Sequence, residues 1–304
     1  MDNYFNINNK LLYVYTGNSD GSPVLYIHGA PGIGVVDYTT FQGANYEKNF
    51  FLVAPEQRGV WRSQDLASDE DYDIEQIIED YEKIRKKLNV NKWICVCHCL
   101  GARIAVKYYQ KYPNSISMMI FENPVLDSIS PFEEIIKIQL SVLKKIDLKA
   151  YEEYVVKLKD IHSPYELEEF CYTLERKTNI GVNNLTMSGT TLKKLSSVKE
   201  NFDIDLFMRS RHTEIKMSHC NNLYKKIYES LRQIYVPVLV IHGSKDILVP
   251  NTVIEKLKSN INDIEICSIP ECKHWIHLEK ENEYFNIVNN YIHSNLLKEN
   301  RYEE

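Results

Sequence analysis

Nowhere in this chain do apolar residues run unbroken for anything near the roughly 20 needed to cross a bilayer as a helix, so no transmembrane helix is expected. The opening Met1-Asp2-Asn3-Tyr4-Phe5 lacks the basic stretch and apolar core of a secretory signal. Positive charge is not in excess: 36 Lys and Arg face 42 Asp and Glu, a net charge of −6. That balance argues against nucleic acid or an anionic membrane as partner. A disulfide framework is missing too, because seven cysteines are an odd number and partly adjacent, which suits reduced thiols in a cytoplasm. No C-x-x-C or H-x-x-x-H pair offers metal-ligand spacing, so neither a metal nor a cofactor is expected. Internal repeats, low-complexity blocks and Pro/Gly-rich linkers are absent as well.

What is present is a chain of 304 residues, 44% hydrophobic, enough for one large core with an inserted subdomain. Short apolar runs recur at Leu11–Tyr15, Val24–Ile27, Phe50–Ala54, Trp93–Cys97, Met118–Phe121, Val238–Ile241 and Ile264–Ile269. Between two of them, Ile74, Ile77, Ile78, Tyr81, Ile84 and Leu88 mark one helical stripe, and Glu279–Leu297 reads as a closing helix. Fully apolar strands alternating with helices indicate a parallel sheet covered on both faces. Residues 127–231 break the rhythm, with helix-period patterns such as Ile135, Ile138, Val142 and Ile146 and no convincing strand. The division expected is a core of 1–126 and 232–304 with a helical cap of 127–231 over the carboxyl ends of the strands. Arg301-Tyr302-Glu303-Glu304 reads as a solvated tail.

The most informative stretch runs from Trp93 to Arg103. An apolar strand stops at Cys97-His98-Cys99-Leu100-Gly101, and Ile104, Ala105, Tyr108 and Tyr109 then recur at helical spacing. A strand, a sharp turn and a helix put Cys99 at the apex, pushed out of the sheet, with the N–H of Leu100 facing the same space. The alternative is that Cys95, Cys97 and Cys99 are small apolar residues packed in a buried strand.

The chain resembles the α/β-hydrolase superfamily, and within it the proline iminopeptidase-like branch. His28-Gly29-Ala30-Pro31-Gly32 is similar to that branch's H-G-G-P-G loop, and Glu56-Gln57-Arg58-Gly59-Val60-Trp61-Arg62-Ser63 to its D-Q-R-G-x-G-x-S. Cys97 to Gly101 resembles the G-x-S-x-G elbow, with cysteine in place of serine and Cys97 in place of the first glycine. Gly243-Ser244-Lys245-Asp246 is similar to the G-x-x-D that carries the family's acid, and Lys273-His274 to its G-H, with Lys273 in place of glycine. The resemblance implies the α/β-hydrolase fold, Cys99 as nucleophile, His274 as base and Asp246 as its carboxylate, in the family's chain order. His277, one turn further on, competes with His274, while His98 is expected to pack beside the elbow. Ala30 and Leu100 are expected to form the oxyanion hole, supported by His28, Gly29 and Gly32.

A cysteine at the elbow gives a thioester acyl-enzyme, which amines and thiols attack readily. Three readings follow. The first is a thioesterase or acyltransferase on a small or medium acyl substrate, free or linked to a carrier or CoA. The second is a proline iminopeptidase-like peptidase or esterase in which cysteine replaces serine, and the third a non-catalytic receptor of the same fold. The family's aminopeptidases hold the substrate amine with cap carboxylates, for which Glu133, Glu134 and Glu166 are candidates. Arg209, Arg211 and His212 form either a solvated helix end or a basic contact for an anionic acyl donor.

Overall fold

The computed structural model describes residues 2–17, 21–30, 34–70, 72–127, 129–199, 204–220 and 227–302. Eight strands build one sheet: β1 (Asp2–Ile7), β2 (Lys10–Thr16), β3 (Ser22–Ile27), β4 (Phe50–Pro55), β5 (Trp93–His98), β6 (Ile116–Glu122), β7 (Val238–Gly243) and β8 (Ile264–Ile269). Their spatial order is β1-β2-β4-β3-β5-β6-β7-β8. From β4 to β8 every pairing is parallel, while β1 and β2 run antiparallel at one edge.

Alternation along β5 shows how this sheet is held. Cys95 and Cys97 point into one apolar cluster, Ile94 and Val96 into the other, and all four are buried. The first cluster receives α2 (Ile74–Lys87), α3 (Gly101–Lys111) and α10 (Asn251–Asn260). The second receives α1 (Val36–Tyr46), α11 (Ile276–Glu279) and α12 (Glu281–Tyr302). Helix α2 starts where Asp73 accepts a hydrogen bond from the N–H of Glu75, and its Ile74, Ile77, Ile78, Tyr81 and Ile84 are buried. The closing helix differs from expectation, since Lys280 separates the short α11 from a longer α12 that takes in Arg301 and Tyr302.

Between β6 and β7 the described residues contain no strand. They form α4 (Ser130–Ile146), α5 (Leu148–Leu158), α6 (Pro164–Thr178), α7 (Val182–Thr186), α8 (Gly189–Lys199) and α9 (Ile204–Ser218). Helices α4, α5 and α6 share an apolar cluster of their own, and its stripe is rotated from the expected one. Ile135, Ile136, Leu140 and Leu143 are buried, whereas Ile146 is 61% exposed. Among the described residues no helix is long and apolar enough to cross a membrane.

Candidate active site

Cys99 occupies the turn between β5 and α3 with φ +55°, a left-handed conformation that costs a non-glycine residue on the order of 1–3 kcal/mol. Backbone bonds hold it there: its N–H donates to Glu122 O (3.0 Å), and its carbonyl accepts from the N–H of Val125 (3.1 Å). Two glycines make the space. A Cβ on Gly101 would lie 2.2 Å from Ile27 O, and one on Gly29 would lie 2.9 Å from Cys99 Cβ.

His274 follows β8 and Asp246 follows β7. His274 Nδ1 lies 2.7 Å from Asp246 Oδ2; a carboxylate can only accept, so the imidazole donates here. That leaves Nε2 for Cys99, the other side chain with which His274 hydrogen-bonds. Burial disfavours a charged His274, but Asp246 and Cys99 outweigh it and raise its pKa well above the usual value.

Two residues not singled out for this from the sequence fix the histidine loop. Asn123 donates from Nδ2 to Lys273 O (3.0 Å) and His274 O (2.7 Å), and its Oδ1 accepts from the N–H of Gly243 (2.9 Å), so one side chain ties the acid loop to the base loop. His98 Nε2 donates to His274 O at 3.2 Å, and burial lowers its pKa to about 4. Lys273, where the family has glycine, donates from Nζ to the carbonyls of Asn184 and Met187 (3.1 Å each), fastening this loop to α7.

A cavity of about 750 Å³ opens beside the thiol, bordered by Cys99, Ala30, Leu100 and His274 from the core and by residues of α4 and α6 to α9 from outside. Ala30 and Leu100 therefore flank Cys99, with Leu100 capping α3 where helix amides lack intrahelical partners. His28 is buried: its Nδ1 donates to Gly29 O (3.2 Å) and its Nε2 accepts from the N–H of Gln57 (3.1 Å), with burial lowering its pKa to about 4. Gly32 lies outside the described residues.

Several expectations need correction. Glu134 pairs with Lys137 (2.6 Å) and Glu166 caps its own helix through Ser163, and neither these nor Glu133 borders the cavity. Glu168, Glu169 and Glu175 further along α6, and Glu214 on α9, do border it. Arg209 is spent on structure, donating to Trp61 O and Ser63 O (3.0 Å each), and His212 faces Asp65 at 3.6 Å. Arg211 borders the cavity but is paired with Glu214 (2.7 Å). Trp61, standing where the family pattern has glycine, adopts φ +44° and forms part of the wall.

His277 is buried away from the cavity. Its Nδ1 donates to Glu122 (2.8 Å) and its Nε2 to Asp37 Oδ2 (3.2 Å). His98, Glu122 and His277 have potential ligand atoms within 4.8 Å of one another. Both nitrogens of His277 nevertheless face carboxylates, leaving no lone pair for a metal, and hydrogen bonds account for the cluster.

An eight-stranded, mostly parallel sheet with Cys99 on the turn after β5, Asp246 after β7 and His274 after β8 has the architecture of the α/β hydrolases. The chain matches the model of the alpha/beta hydrolase fold family over residues 22–281 and belongs to that family. Among similar proteins is the proline iminopeptidase of Heyndrickxia coagulans, 23% identical over 277 residues, 91% of this chain and 92% of that protein. The proline iminopeptidase of Neisseria meningitidis serogroup A is 30% identical over 111 residues, 36% of this chain and 35% of the relative, so that match spans only about a third of its length. The crystal structure of Mycobacterium smegmatis proline iminopeptidase superposes with a TM-score of 0.71 at 13% identity, covering 97% of this chain and 98% of that one, which speaks for the fold alone.

Proposed function

We propose that this chain is a hydrolase of the aminopeptidase type that works through an acyl-enzyme on Cys99, with residues 127–231 as its cap. The observation that carries the reading is the Cys99–His274–Asp246 linkage on the cavity floor. The Cys99 sulfur, its proton held by His274, attacks the carbonyl carbon of an N-terminal residue. The oxyanion forms beside the backbone N–H groups of Ala30 and Leu100, each such donor typically worth about 3 kcal/mol in the transition state. His274 then passes the proton to the leaving nitrogen, the C–N bond breaks and a thioester remains. Water, deprotonated by His274, attacks the thioester and releases the acid and the thiol. The relatives named proline iminopeptidase support this choice of substrate, as do four carboxylates against two guanidinium groups on the cavity's outer wall. The substrate is a small molecule met in the cytoplasm.

The thiol itself favours a second reading, acyl transfer or thioester hydrolysis on a free, carrier-linked or CoA-linked acyl group, because a thioester intermediate yields readily to amine and thiol acceptors. One experiment separates the two. Proline p-nitroanilide, its N-acetyl form, a p-nitrophenyl ester and an acyl thioester are compared by kcat/KM with and without added amine, while intact mass follows Cys99. Fastest cleavage of the free-amine anilide, with an acyl adduct on Cys99, is expected. Preference for the thioester with capture by amine establishes the second reading. No adduct and no turnover leave a receptor.

A further inference from the structure

Lys273 stands where the family's G-H pattern has no side chain, and it reaches into the inserted helices. Its Nζ donates to the carbonyls of Asn184 and Met187 (3.1 Å each). The N–H of the next residue, His274, donates to Thr186 O at 3.1 Å. All three carbonyls lie at the carboxyl end of α7, where helix carbonyls lack intrahelical partners and a lysine is a favoured cap. Two consecutive residues of the base loop thus close the end of a helix from another part of the chain.

The same short helix faces the cavity, through Val182, Asn183 and Thr186, with Met187 just beyond its end. His274 is consequently held from two sides. Its carbonyl accepts from Asn123 and His98 of the core, and its Nδ1 donates to Asp246, also of the core. Its N–H and its neighbour Lys273 are held by α7. A second lysine ties the inserted helices to the core at a different place: Lys216 of α9 donates to the carbonyls of Ala67, Ser68 and Glu70, none of which borders the cavity.

We infer that Lys273 is a positioning residue for the base. By tying the His274 loop to α7, it makes a cavity-lining helix of the insertion part of what aims the imidazole at Cys99. The inference rests on the Cys99–His274–Asp246 linkage that both functional readings share, and not on the choice of substrate.

The test reads the thiol, so it does not depend on turnover. Cys99 is alkylated with iodoacetamide at pH 7 and at pH 9.5, and labelling is followed by mass spectrometry. At the higher pH an ordinary thiol is mostly ionised without help, so the ratio of the two rates reports assistance by the imidazole rather than access. Lys273→Met should lower the rate at pH 7 relative to that at pH 9.5 about tenfold, with the thermal transition retained. Lys273→Arg, which keeps the charge and the donors, should restore it. Lys216→Met, which cuts a comparable tether away from the base, should leave the ratio unchanged. Lys273→Gly serves if the methionine variant does not fold. An unchanged ratio in Lys273→Met overturns the inference, as does an equal fall in Lys216→Met, which would mark a general loosening of the insertion. If the unmodified protein itself labels no faster at pH 7 than its His274→Ala variant, the Cys99–His274 linkage falls and the inference with it.

Discussion

Gly29 has no side chain where Cys99 has one: a Cβ on the glycine would stand 2.9 Å from the Cβ of the cysteine. Gly101 is tighter still, since its added Cβ would meet the Ile27 and His28 carbonyls at 2.2 and 2.9 Å, and backbone yields less readily than a side chain. Gly101→Ala is therefore expected to cost about 1–3 kcal/mol of stability, as overpacking does. Gly29→Ala should cost less stability and more activity, by displacing Cys99. Urea denaturation and kcat/KM on one substrate give the two readouts; equal stability losses would contradict the geometry.

If Cys99, His274 and Asp246 work as a unit, their removals do not add. Cys99→Ala and His274→Ala should each abolish covalent turnover, and the double variant should be little worse than either alone. Near-full activity of His274→Ala would remove the histidine from the mechanism.

Thiol reactivity should separate along β5 and its turn. Burial pushes the Cys95 and Cys97 thiols far up, while Cys99 opens on the cavity beside a histidine that stays protonated. Iodoacetamide should label Cys99 well before Cys95 or Cys97, and His274→Ala should slow that reaction specifically. A single slow rate for all three would mark Cys99 as a packing residue.

Asn123 is expected to matter more than its neutral side chain suggests. Asn123→Ala strands the Lys273 carbonyl and the N–H of Gly243 and leaves His274 O with His98 alone, a loss of partners that costs about 1–3 kcal/mol. It also unties Asp246 from His274, so kcat should fall while KM changes little. A stability loss with unchanged kcat would limit Asn123 to the fold.

Stability should peak near pH 6.5. The His277 pKa, raised to about 9 from an ordinary 6.5, gives stability that is complete below about 6.5 and fades as pH rises through 9. The His28 and His98 values, lowered to about 4, act oppositely: stability is lost as pH falls from 6.5 towards 4, because the unfolded chain binds protons the folded one refuses. Thermal melts from pH 4 to 9.5 should trace both limbs, and His277→Gln should shrink the alkaline one, leaving the part that belongs to His274. An alkaline limb unchanged in that variant would contradict the assignment.

Much of the fold was legible because apolar strands and turn residues are local signals. The edge strand β1 was not read, although Asn8-Asn9 joins it to β2 with both residues at positive φ (55° and 62°), a two-residue hairpin turn. Helix α4 was placed but misrotated, since Ile138, Val142 and Ile146 fit a helical period as well as the buried residues do. That Asp246 would meet His274, with Cys99 on the turn after β5, was expected from motif order. The place of Asn123 was not, because it depends on which strand ends meet across the sheet. Asn123 acts on residues 150 positions away, a distance no periodicity encodes.

Two of the three tryptophans, Trp61 and Trp275, stand on the cavity wall, while Trp93 is sealed at the start of β5. The protein thus carries an intrinsic optical gauge of occupancy. A ligand that fills the cavity changes the surroundings of two indole rings, themselves nearly sealed, and leaves the third as a constant background. Fluorescence titration can therefore rank unmodified compounds for binding before any chemistry is assayed, without attaching a dye.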